Sequence, residues 1–347
     1  MLKTFLFTIL AGIYSMVINI RHWLFDIGVL KSKKYDIPII CIGNITVGGT
    51  GKTPMTEMIV SYMSKFHKVA VISRGYGRKT KGYLEVSEDS HYRDVGDEPL
   101  QIKLKFPEAV VVVCEKRVVG IDRIIEEHPD VTLVIMDDGF QHRYVEPAVN
   151  IVMIDATRPP HDDKLLPLGS LRESLDSLHR AHYFIVSKCP ENMKALDRSI
   201  LRGELIKAAF QEIYFTRIES FKPTPVFSEG IKHEIKHGDE VIALSGIGNP
   251  ATFVGGLEHN YKIVDTITFD DHHVYKVKDL KNIINKLHEH PNAMIVTTEK
   301  DAVKMIKSKK TDLEIREKIF YTPINISFID DSKGDLLSKL KQDVIEN

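Results

Sequence analysis

The first residues able to do chemistry lie in "GNITVGGTGKTP", Gly43 to Pro54, directly after the apolar run "IPIICI". A strand that runs into a glycine-rich loop, then G-K-[ST], then a helix, is a phosphate cradle. The glycines let successive backbone N–H groups converge on one anion, and the helix points its positive end at it. The nucleotide-binding candidates are Thr46, Val47, Gly48, Gly49, Thr50, Gly51, Lys52 and Thr53. In that chemistry Lys52 reaches the terminal phosphates and Thr53 binds Mg²⁺. Pro54 suits a first helical turn, where a missing N–H costs nothing. Thr46 stands where the general pattern G-x-x-x-x-G-K-[ST] begins with glycine. A glycine-rich turn without a ligand is the bland alternative, and the intact "GGTGKT" after a strand disfavours it.

Such a site needs a metal-facing carboxylate at the end of a neighbouring strand. "TLVIMDDGFQHR" supplies Asp137 and Asp138, one to hold Mg²⁺ and the other to position nearby groups. Two acids there could instead cap the following turn. "NIVMIDATRP" repeats the pattern more weakly with Asp155 alone. Further polar loops follow other strands: "SRGYGR" with Arg74 and Arg78, "VGDEPLQ" with Asp97 and Glu98 in what reads as a loop rather than a helix, "LLPLGSLRES" with Arg172 and Glu173, and "FDDHH" with Asp270, Asp271, His272 and His273. Singly each reads as a solvated loop. Together they mark one functional edge, because α/β sheets bind ligands outside their strand ends.

The elements that position these loops alternate. Short apolar runs predict strands at 38–43, 68–73, 109–114, 132–136, 150–154, 182–187 and 212–218, several continuously apolar as buried parallel strands are. Helical patterns lie between them at 55–66, 115–128 and 193–210. The expected architecture is a doubly wound α/β fold, a P-loop unit with a parallel sheet over residues 31–220. "SFKPTPVFSEG" reads as a crossing segment, residues 221–230 being a linker, and 231–347 as a second, smaller α/β unit with a helix at 279–288. The run 319–328 reads as an edge strand of either sheet, able to return toward the linker or the first unit.

Residues 1–30 differ. From Thr4 to Ile20 there is no charge, and Thr4, Thr8, Gly12, Ser15, Asn19 and His22 fall on one helical strip. A helix of this kind lies half-sunk in a bilayer with the strip outward, or packs deeply against protein; the first is favoured so near a terminus. Arg21, Lys31, Lys33 and Lys34 would then meet anionic headgroups, at about 1 kcal/mol each. No small-residue cleavage site follows, against a signal peptide. The formal net charge of −1 over 347 residues argues against a nucleic-acid-binding surface. Three scattered cysteines exclude a disulfide framework and a thiolate metal site.

"GNITVGGTGKTP", "SRGYGR", "VGDEP", "DDGFQHR", "LLPLGSLRE", "FDDHH" and "TTEKDAVK" occur in that order. Together they closely resemble the tetraacyldisaccharide 4'-kinase family, the lipid A 4'-kinases of Gram-negative envelope synthesis. The resemblance runs from the N-terminal helix to about Lys304. It implies an enzyme on the cytoplasmic face of the bacterial inner membrane that uses ATP and Mg²⁺. Its partners would be that lipid surface and a lipid A disaccharide precursor, whose 4'-hydroxyl takes the γ-phosphate. By resemblance the catalytic carboxylate is Asp97 and its partner histidine His272, with His273 the weaker choice. The metal and phosphate groups are Lys52, Thr53, Glu98, Asp137 and Asp138. Arg74, Gln141, Arg172 and Glu173 are expected substrate or phosphate contacts. Ser174 departs from the proline common in the family, which bears on local loop shape only. The rival reading is a membrane-cycling P-loop ATPase switch, but Val47 stands where such switches carry lysine; a GTPase lacks its N-K-x-D here.

Overall fold

The structure is a computed structural model that describes residues 2–227, 234–306, 313–330 and 332–346. Its strands are β1 (Ile39–Gly43), β2 (Val69–Ser73), β3 (Leu84–Val86), β4 (Val110–Val113), β5 (Leu133–Asp137), β6 (Val149–Asp155) and β7 (Tyr183–Ser187). They continue with β8 (Glu212–Ser220), β9 (Thr224–Pro225), β10 (Glu240–Ser245), β11 (Lys262–Thr268), β12 (Met294–Thr298), β13 (Ile319–Thr322) and β14 (Ile324–Phe328). Its helices begin with α1 (Leu2–Asp26), α2 (Lys52–Met63), α3 (Tyr92–Val95), α4 (Asp97–Lys105), α5 (Arg117–Glu127) and α6 (Ala195–Leu205). After them come α7 (Pro250–Glu258), α8 (Val277–Glu289), α9 (Glu299–Ile306), α10 (Leu313–Lys318) and α11 (Lys333–Glu346).

Nine strands form the larger sheet in the order β14-β8-β7-β6-β1-β5-β2-β4-β3. The seven inner strands pair parallel, and β3 and β14 close the edges antiparallel. Strands β1, β2, β4, β5 and β7 are buried along their whole length, as the continuous apolar runs predict. Helix α2 packs on one face with Met55, Ile59 and Met63, and α5 on the other with Ile121 and Ile124. From β1 the chain crosses to β2 on one side, and after returning at β5 it crosses to β6 on the other, so the carboxyl ends of β1, β5 and β6 open onto a switch point.

The smaller sheet is β11-β10-β12-β13-β9, parallel except for the short β9. The expected single edge strand over 319–328 is instead two strands in two sheets. Pro323 separates them: it has no N–H to donate to a ladder, so β13 stops in the small sheet and β14 pairs with β8 in the large one. Helix α11 returns with β14, burying Leu336, Leu340 and Val344 against α2's side of the large sheet. The chain therefore crosses between the sheets at Pro323 as well as after β8. The segment read as a linker also contributes β9, whose Thr224 and Pro225 pair with Tyr321 and Phe320; its residues 228–230 lie outside the described ones.

Candidate active site

At the end of β1, Gly48 (φ +98) and Gly51 (φ +86) adopt left-handed conformations that turn the chain around the cradle. The loop is held from outside. Val47 N–H donates to Ser170 O (2.8 Å), Arg172 N–H to Ile45 O (2.7 Å), and Ser187 Oγ to Thr50 O (2.8 Å). Asn44 Nδ2 donates to Thr50 Oγ1 at 3.0 Å, and Thr46 bridges to Leu171. Helix α2 starts at Lys52 itself, so Lys52 and Thr53 stand at its positive end.

The exit of β5 brings both acids to this loop. Lys52 Nζ lies 3.5 Å from Asp138 Oδ1, and Arg172 Nη1 lies 3.1 Å from each Asp138 oxygen. Burial raises the Asp138 carboxyl, but Lys52 and Arg172 outweigh it and hold it below the usual range. Asp137 is buried and accepts from Thr56 Oγ1 (3.0 Å). Burial, with the neighbouring Glu98 and Asp138 charges, pushes it up to about 7. A buried acid crowded by two carboxylates is short of positive charge, which fits a divalent cation. The oxygens of Glu98, Asp137 and Asp138 do not all lie within 4.8 Å of one another. They are no closed cage, in keeping with Mg²⁺, which takes one or two carboxylates and completes its shell with phosphate and water.

The reading of Asp97 and Glu98 as loop residues is corrected: they open α4. Acids are favoured in a first turn, and Pro99 fits there because no N–H is needed. Asp97 is 4% exposed, and the "FDDHH" turn of the smaller unit reaches it. His272 Nδ1 lies 3.0 and 3.1 Å from the two Asp97 oxygens, across 175 positions of sequence. His272 sits at φ +58, a strained conformation for a side-chain-bearing residue. Its ring also lies 4.8 Å from that of Tyr76. Burial raises the Asp97 carboxyl, yet the His272 hydrogen bond and the Lys300 and Lys304 charges bring it down to about 2. His273 turns away, hydrogen-bonding Asp279 (3.0 Å) and stacking on Phe269. Geometry thus separates two histidines that the sequence leaves adjacent.

Other expected contacts divide. Gln141 braces the loop, its Nε2 donating to Asn44 O (2.8 Å). Arg74 is exposed at the β2 exit. Glu173 faces inward: it is 1% exposed, ion-paired to Arg180, and 3.5 Å from His22 Nε2. Its carboxylate braces α1 rather than opening to a ligand. Helix α1 is tied to the same segment by Tyr14 Oη donating to Arg172 O (3.1 Å) and Arg21 Nη2 to Gln141 O (3.0 Å). His22, on the polar strip expected to face outward, is turned to the protein instead. Leu6, Ile9, Leu10, Ile13, Met16, Val17, Ile20 and Trp23 form the exposed face. No helix among the described residues is long and apolar enough to cross a membrane.

The sequence profile of the Tetraacyldisaccharide-1-P 4'-kinase family matches residues 3–344. The chain belongs to the tetraacyldisaccharide 4'-kinase family. A tetraacyldisaccharide 4'-kinase of Phocaeicola vulgatus is 37% identical over 344 residues, covering 97% of this chain and 94% of the relative. That of Parabacteroides distasonis is 38% identical over 333 residues, with 93% and 90% covered. Among solved structures, a crystal structure of LpxK from Aquifex aeolicus in complex with ATP superposes with a TM-score of 0.76 at 28% identity. It covers 98% of this chain and 99% of that one.

The family motifs converge on this sheet edge, but several residues there escaped the sequence reading. Arg117 is buried under the β5 exit, donating to Cys114 O and to Asp137 O (3.2 Å). Arg158 Nη2 crosses the loop to reach Val47 O (3.4 Å). Lys300 Nζ lies 3.0 Å from Asp271, 3.1 Å from His272 Nε2 and 3.3 Å from Glu98. The "TTEKDAVK" motif contained Lys300, but no local signal in the sequence ties it to residues so far away.

Proposed function

We propose that the chain is an ATP-dependent lipid kinase that phosphorylates the 4'-hydroxyl of a tetraacylated glucosamine disaccharide 1-phosphate. The observation that carries this reading is the Asp97–His272 contact, next in the chain to Glu98, whose charge bears on Asp137 at the β5 exit. A nucleotide switch has no use for an aimed carboxylate at that position; an alcohol acceptor does, because its proton must leave as its oxygen bonds phosphorus.

The 4'-oxygen attacks the γ-phosphorus, the bond from that phosphorus to the β,γ-bridging oxygen breaks, and ADP leaves. The hydroxyl proton passes to Asp97. His272 Nδ1–H holds that carboxylate in place; Lys300, a cation that can only donate, faces His272 Nε2, so this nitrogen is the unprotonated one. The same contacts with His272, Lys300 and Lys304 hold the Asp97 carboxyl below its usual range, so it stands ionised and able to accept the proton. Lys52 and Arg172 neutralise charge on the transferring group. Thr53, Glu98, Asp137 and Asp138 are the residues to hold Mg²⁺, which when bound supplies positive charge to the phosphate oxygens.

The exposed apolar face of α1 rests on the cytoplasmic side of the inner membrane, the solvent of an acylated substrate. Because α1 holds the Arg172 segment, membrane docking and the acceptor site share one scaffold. Incubation with γ-labelled ATP and detergent-dispersed tetraacyl disaccharide 1-phosphate separates the readings. Label on the lipid supports the kinase; release of inorganic phosphate alone supports the switch.

A further inference from the structure

"TTEKDAVK" is the quoted motif with no role yet for its last lysine. Helix α9 places Lys300 and Lys304 one turn apart, both facing Asp97. Lys300 is 16% exposed and shared among several acids. Lys304 is different: it is 1% exposed, with Nζ 3.0 Å from Asp301 Oδ1 and 3.5 Å from Asp97 Oδ2. Asp301 is fully buried and fixed in turn. Its Oδ2 accepts from Gly246 N (2.8 Å) and Thr298 Oγ1 (2.7 Å), leaving Oδ1 for the lysine. A Cβ on Gly246 would meet Asp301 Oδ1 at 3.0 Å and Asp270 O at 3.4 Å, so this acid sits directly beneath the turn that carries His272.

A buried ammonium is costly to desolvate unless it is paired, and an apolar side chain would serve packing better. One carboxylate, Asp301, already pairs this one. The second lies on α4, in the other unit. Rotation of an aspartate carboxyl about its last bond is soft, so it must be held from outside. Oδ1 of Asp97 is held by Glu98 N–H (3.0 Å) and His272. Oδ2 is held by His272 and faced by Lys304.

We propose that Lys304, clamped by Asp301, is a positioning residue of the phosphoryl transfer that fixes the rotation of the Asp97 carboxylate when the two units meet. The inference rests on Asp97 accepting the proton, and its test distinguishes the two. Lys304→Met and Asp301→Asn are each made alone and on an Asp97→Asn background, and followed by steady-state kinetics, thermal melting and Mg-ATP calorimetry.

Lys304→Met lowers kcat about 100-fold, the scale of a small misplacement of a reacting group. The KM values and nucleotide affinity stay as in the parent. On the Asp97→Asn background the same change costs nothing more, because Lys304 acts only through that carboxylate. Asp301→Asn gives a smaller loss, about tenfold, with the same dependence on Asp97. It carries the test if Lys304→Met does not fold. Parental kcat in both variants, with Asp97→Asn itself strongly slowed, overturns the role of Lys304 alone. An equal loss in both backgrounds reduces it to a structural residue and overturns it too. Full activity of Asp97→Asn removes the reading beneath it.

Discussion

Asp97 and His272 come from different units, and each is useless to an alcohol without the other's position. Replacing Asp97 by asparagine keeps the shape and removes the proton acceptor; kcat falls about 10²- to 10⁴-fold while Mg-ATP affinity measured by calorimetry persists. The paired histidines make a sharper contrast. His272→Ala reproduces much of that loss, whereas His273→Ala costs mainly the Asp279 contact and shows in melting more than in kcat. Equal kinetic losses from the two would contradict the geometry. At this scale the sequence shows residue types and motif order well, which is why Lys52, Asp97 and Asp138 were legible. It cannot show which of two adjacent side chains turns inward, nor that Lys304 is buried or that Glu173 faces Arg180. Those facts depend on partners more than a hundred positions away or on the opposite side of a turn.

The strands of the large sheet were legible for a physical reason: buried parallel strands need unbroken apolar runs, and the polar residue ending each run marks the functional edge. Two elements were not. Pro323 divides one β-rich run between two sheets, and "GDEP" opens a helix because its proline and acids suit a first turn. On helix α1 the polar strip divides, His22 turning to the protein while Thr8, Gly12 and Asn19 stay exposed, and a row of large apolar side chains is exposed beside them. The large exposed apolar patch that results is unusual for a surface left to water. Met16 (56% exposed) and Ile20 (49%) lie on it and make none of the tethering contacts given above. Glutamates at both positions weaken co-sedimentation with anionic lipid vesicles several-fold and leave stability within about 0.5 kcal/mol, as for other exposed positions. Unchanged vesicle binding would place the membrane contact elsewhere.

Across the molecule, the chain leaves the large sheet after β8, builds the smaller unit and returns through Pro323 to finish in the first core. Lys105 joins the units again, with Nζ 2.7 Å from Glu57 on α2 and 2.8 Å from Glu299 on α9. The site is therefore assembled by long-range contacts between the two units, the acid–histidine pair among them. Because α11 belongs to the large core, Leu340→Ala destabilises the chain by about 2–5 kcal/mol in chemical denaturation. A cost near zero would mean that α11 is not packed there. A kinase acting here leaves a new phosphate ester on the sugar 4'-oxygen, and phosphorus NMR of the lipid recovered after incubation with Mg-ATP reads it directly. A second monoester resonance at that position, absent with Asp97→Asn, is the expected result. An unchanged 1-phosphate lipid beside accumulating ADP and inorganic phosphate would contradict it.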